Sequence, residues 1–158
     1  MLDELLTAWR KNQRISLDLI SQISDAGMGC SLSTRGGRSV ARQFAHMHNV
    51  RIMQLGSRAK MLSEGASKFA SKDEPSPKEL SAAFEESSKL VEQWFRMVTA
   101  GEKGARPMPG GIVTTLCYLV SHESHHRGSI LLTLKQCGEP APKDARDRLW
   151  GEWGKKPS

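Results

Sequence analysis

The chain has 158 residues, 38% of them hydrophobic and 25% charged. That composition excludes disorder along its length and fits one domain. No apolar run approaches the roughly 20 residues of a membrane span, and the net charge of +6 comes without a run of like charges or a nucleic-acid recognition motif. Neither a membrane nor a specific nucleic acid is therefore an expected partner. The acidic start, with Asp3 and Glu4, is unlike a secretory signal, so a cytoplasmic protein is expected.

Four long segments carry apolar residues at helical spacing. The first runs from about Leu2 to Ser24 and ends at Asp25-Ala26-Gly27. The glycine-rich stretch Gly27 to Arg38 reads as a loop. The second starts at Ser39, a good N-cap, and reaches about Ser63, with Gly56 inside it. The third opens on Ser76-Pro77-Lys78-Glu79, which places Ser at the cap, Pro at the first helical position and Glu at the third. It ends near Ala100, where Gly101 stops it, and a loop follows to Gly110. The fourth runs from about Gly111 to Cys137, with a stripe of Ile112, Leu116, Leu119, Ile130, Leu134 and Cys137. Gly138, Pro140 and Pro142 end it. No alternating strand pattern of useful length occurs. The expectation is an all-α fold: a four-helix bundle over residues 1–138 and a short C-terminal tail, 139–158, with one short helix near Asp144–Trp150.

Cys30, Cys117 and Cys137 are odd in number and widely spaced, and form neither a disulfide framework nor a zinc site. The histidines are more telling. All five fall in two places: His46 and His48 in the second segment, and His122, His125 and His126 in the fourth. Residues four apart on a helix stand one above the other. His122 and His126 thus form a pair able to chelate one divalent ion at the margin of the apolar stripe. A third histidine from the second segment would leave coordination positions open for water or substrate. Periodicity does not choose between His46 and His48, which flank that segment's stripe on opposite sides. Glu123, on the core side of His122, is placed to orient a ligand or act as general base, unless it is a solvated helix carboxylate. Arg127 reads as a surface or dimer charge, or as a contact for an anionic substrate. Gly128 reads as a point of close helix approach, since glycine costs a helix about 1 kcal/mol against alanine. His122-Glu123-Ser124-His125-His126 also fits H-E-x-x-H, the zinc-protease pattern. No strand pattern flanks it, and no further carboxylate lies on an evident following helix.

Two stretches resemble the DinB-like (YfiT-like) proteins, a family of four-helix-bundle metalloenzymes. One is Ser39-Val40-Ala41-Arg42-Gln43-Phe44-Ala45-His46-Met47. The other is His122-Glu123-Ser124-His125-His126-Arg127-Gly128 with the aliphatic run Ser129 to Leu134. The likeness covers about Leu2 to Gly138. It implies His46, His122 and His126 as metal ligands, zinc or nickel as the metal, and homodimers. Some members use a low-molecular-weight thiol. The expected function is a divalent-metal-dependent enzyme that transfers such a thiol or hydrolyses a small-molecule substrate, with Glu123 as its catalytic candidate. The alternative is a non-catalytic bundle that binds a metal or small molecule.

Overall fold

The computed structural model describes residues 1–32 and 37–156. It is all-helical, with no strand among the described residues. The elements are α1 (Leu2–Ser21), α2 (Asp25–Met28), α3 (Val40–Arg58), α4 (Lys60–Ser63), α5 (Pro77–Thr99), α6 (Ile112–Gln136) and α7 (Lys143–Gly154). The four long helices α1, α3, α5 and α6 form the bundle.

Local chemistry sets most boundaries. Ser39 caps α3 by accepting from the Arg42 amide, and Ser76 and Glu79 form a reciprocal capping box on α5 with Pro77 in its first turn. The first segment stops three residues earlier than expected. Ser24 turns its hydroxyl onto the Gly27 amide and starts the one-turn helix α2, so Gly27 lies inside a turn instead of ending a helix. A Cβ on Gly27 would stand 2.9 Å from Ile23 Cγ2 and 3.0 Å from Leu134 Cδ2, so the turn packs closely on α6. Of the expected loop 27–38, residues 33–36 lie outside those described.

The second segment breaks at Ala59, not at Gly56, with Ala59 at φ −148° and ψ 59°. The Arg106 amide donates to the Arg58 carbonyl, and the Arg106 side chain donates to the Ser57 carbonyl. Those contacts satisfy carbonyls that a continuous helix would have used itself. In the tail, α7 is longer than expected and lies on α1. Arg14 pairs with Glu152 at 2.5 Å, Arg148 with Asp18 at 3.0 Å, and Lys11 donates to the Trp153 and Lys155 carbonyls.

The bundle has two apolar clusters with a polar layer between them. One holds Leu19, Ile20, Phe44, Met47, Phe84, Ile130 and Leu134; the other holds Trp9, Leu55, Val91, Trp94, Phe95, Leu116 and Leu119. Buried Asn12, Ser16, Arg51, Ser87, Glu123 and Arg127 lie between them. Arg51 joins the two halves physically: its guanidinium carbon sits 4.7 Å from the Trp9 ring centre and 4.4 Å from that of Phe84. The polar layer occupies the long gap in the α6 stripe between Leu119 and Ile130. Cys137, expected at the end of that stripe, is exposed, because it caps the helix beyond the packed face.

Candidate metal centre

Helix α3 presents His46 and helix α6 presents His122 and His126. One ring nitrogen from each lies within 4.8 Å of the others. The ring centres are 4.6 Å apart for His122 and His126, 4.8 Å for His46 and His126, and 5.3 Å for His46 and His122. All three side chains are half-buried. Among the described residues, none of the three imidazoles makes a hydrogen bond.

Burial and mutual repulsion keep these rings neutral. Desolvation, then the neighbouring His122 and His46, pushes His126 down to about 4. Desolvation and then the Arg38 charge lower His46. His122 is lowered by desolvation, against the opposing charge of Glu123. A neutral imidazole offers a lone pair, which is the form a metal ion needs.

His48, the alternative third ligand, is elsewhere. It is fully buried, donates from Nε2 to the Ser67 carbonyl at 2.9 Å, and packs edge-on against Phe69. Two residues along a helix is roughly 200° of rotation, so His46 and His48 cannot serve one site. His125 is exposed, 5.2 Å from His126 between ring centres. Tyr118, one turn before His122, stacks on its ring at 6.2 Å and 14°, and accepts from Gln54 at 3.5 Å. Positions 118, 122 and 126 form one four-residue series, and that spacing is the signal in the sequence that places Tyr118 beside the histidines.

Glu123 and Arg127 both face the core. Glu123 Oε1 accepts from Arg51 Nε at 2.6 Å; Oε2 accepts from Arg51 Nη2 at 3.0 Å, Asn12 at 2.7 Å and Ser16 at 3.5 Å. Arg127 stands 3.7 Å from the same carboxylate and donates to Ser16, Asn12 and Ser124. Burial pushes the Glu123 carboxyl up, but Arg51, Arg127 and Asn12 outweigh it and hold it below the ordinary range. The solvated carboxylate weighed for Glu123 is thereby excluded. So is the surface or dimer charge expected for Arg127: an i,i+4 pair with Glu123 turns it inward, where α1 supplies the remaining acceptors. Gly128 is exposed, and a Cβ there would meet nothing within 4 Å, so among the described residues no other helix approaches it.

The chain belongs to the DinB family. The family's model matches residues 1–155, so the match extends through α7. No curated protein matches the chain. In this DinB-family bundle, His122-Glu123-Ser124-His125-His126 fits H-E-x-x-H only as letters. The two histidines face α3, while the glutamate is locked in the core, away from where a zinc protease needs its base. No helix is long and apolar enough to cross a membrane among the described residues.

The donor set fits a divalent ion. Three imidazole nitrogens within 4.8 Å of one another are the donor type and number that zinc sites with an open position use. Three imidazoles would leave a coordination position for a small molecule, and two clefts adjoin the cluster, one at His126 and one at His46. One, of about 250 Å³, is walled by His125, His126, Gln43, Ser129 and Thr133; the other, of about 400 Å³, by His46, Arg42, Asn49 and Phe69.

Proposed function

We propose that His46, His122 and His126 hold one divalent ion, zinc or nickel, and that the protein uses it to activate a low-molecular-weight thiol or a water for reaction with a small molecule. One observation carries this reading: three desolvated imidazoles converge from two helices with no hydrogen bonds among themselves or to the described residues around them. A divalent ion on neutral imidazoles retains its charge and lowers the pKa of a water or thiol beside it.

The protein's own groups favour the thiol. No aspartate or glutamate lines either cleft among the described residues. Water, at a pKa of about 15.7 in bulk, needs more help than a thiol near 8.5. His125 stands on the cleft wall beside His126, placed to take up the thiol proton and pass it to solvent. Glu123 acts as a positioning residue. By gripping Arg51 of α3 from α6 it ties together the two ligand-bearing helices. The protein's own Cys30 is a poor nucleophile at neutral pH, since burial and the neighbouring Cys137 thiol push it up to about 11. Three free thiols suit a reducing cytoplasm.

The outward face of α6, with exposed Val113, Leu132 and the open Gly128, is the surface proposed for a homodimer. Light scattering tests it, and a monomer at high concentration would refute it. The test of the metal site is elemental analysis of the full chain beside four variants. About one zinc or nickel per chain is expected, lost in His46→Ala, His122→Ala and His126→Ala and kept in His48→Ala. Equal metal content in all five would refute the site. A metal-loaded protein with no turnover across a panel of thiols and electrophiles would leave the alternative, a binding module.

A further inference from the structure

Building on the metal reading above, we propose that the site takes a substrate bearing an oxyanion, a carboxylate or a phosphate, and that Arg38 recognises that anion.

One cleft has His126 in its wall and the other has His46, and Arg38 lines both. It stands just before the Ser39 cap of α3, the helix that carries His46.

Arg42 donates to the Ser71 carbonyl at 2.7 Å and lies 4.0 Å from Glu74. Arg51 and Arg127 share Glu123 in the core. Arg38 has no ion pair and no hydrogen bond among the described residues. A lone exposed arginine is ordinary. One at the divide between two clefts, beside a cluster of metal-ligating residue types, has a geometric reason to be left uncommitted.

Charge balance points the same way. Under the histidines, two buried arginines face one buried glutamate, an excess of one positive charge. Among the described residues, neither cleft has a carboxylate in its wall. Glu74, near the α3 start, accepts from Ser39 at 2.5 Å and is occupied there. A divalent ion adds two further positive charges. A neutral or cationic substrate would leave this field uncompensated, whereas an oxyanion balances it and fits the guanidinium fork.

The test uses the full chain loaded with cobalt(II), whose visible absorption reports a ligand entering the metal's open position. Acetate, methylphosphonate and imidazole are titrated near pH 8, where free imidazole is neutral. Arg38→Gln is expected to weaken at least one of the two anions about tenfold while imidazole binds as before. Arg38→Lys should retain part of the affinity. Lys103→Gln removes the same charge from an exposed turn and should change nothing. If both anions bind Arg38→Gln as tightly as the wild type, or Lys103→Gln matches its loss, the inference falls and the metal site stands. A wild-type protein that takes up no cobalt overturns the metal reading and this inference with it.

Discussion

Helix α6 carries two pairs at the same four-residue spacing, and they have opposite fates. Glu123 and Arg127 turn into the bundle, where α1 and α3 meet them with Asn12, Ser16 and Arg51. His122 and His126, about 100° round the helix from those neighbours, turn to His46 and bond nothing among the described residues. A buried carboxylate with four partner residues has no capacity left for chemistry. Desolvated imidazoles with free lone pairs have little else to do. The lesson is that a polar layer can build a site without joining it: the charges fix the helices, and the fixed helices aim the histidines.

The sharpest way to break this comparison is at Glu123. Glu123→Gln leaves Arg51 and Arg127 buried without a countercharge, and a buried pair broken from one side costs about 3–5 kcal/mol. Urea denaturation should show a loss of that size. A loss under about 1 kcal/mol would mean that the layer does not hold the bundle. His126→Ala should do the reverse. The ring is half-buried and has no hydrogen bond to lose, so stability without metal should change by about 1 kcal/mol or less, while metal affinity collapses in a calorimetric titration. If His126→Ala unfolds the protein and Glu123→Gln spares it, the roles are exchanged.

Acid should separate the two regions as well. His46, His48, His122 and His126 all titrate lower in the folded chain than the ordinary 6.5. For His48, desolvation is the main cause; its Nδ1 is buried without a partner and would carry the added proton. On acidification the unfolded chain takes up these protons first. Stability of the metal-free protein is therefore complete above about pH 6.5 and falls as the pH drops below it. For His126 the loss continues to about 4. Glu123 is lowered instead from 4.5, so its contribution is intact down to about that pH, falls as the unfolded chain protonates below it, and is gone once the pH is below the folded-state value. A urea midpoint that is flat from neutrality to about pH 5 would contradict the histidine assignment.

Much of this was legible in the sequence, for local reasons. Caps are local chemistry, so Ser39 and Ser76-Pro77-Glu79 announced their helices. The His122–His126 pair follows from spacing alone. His46 did not: choosing it over His48 needs the rotation of α3, which Arg51 and the apolar face set through contacts with other helices. The polar layer left a signal that apolar periodicity discards. Between Leu119 and Ile130 the stripe of α6 is empty, and 123 and 127 fill it in four-residue steps. The same gap occurs in α1, where Asn12 and Ser16 stand between Trp9 and Leu19, and in α3, where Arg51 stands between Met47 and Leu55. Each gap alone looks like solvent. Only the assembled bundle shows that they lie at one level and satisfy one another.

Two glycines, one packed and one open, give effects smaller than that of Glu123. At Gly27 an alanine must push Ile23 and Leu134 apart, and overpacking of this kind costs about 1–3 kcal/mol. Gly128 lies in the middle of α6 with open space where a Cβ would go. In an isolated chain, Gly128→Ala should stabilise by about 0.5–1 kcal/mol, because the unfolded chain loses freedom and the helix loses nothing. That expectation doubles as a probe of the outward face. If two copies pack α6 on α6, the missing Cβ is what lets them approach, and the same substitution must weaken the dimer. Denaturation at two protein concentrations separates the cases. A gain independent of concentration fits a free surface, while a loss that shrinks as the protein is diluted places a second copy against Gly128.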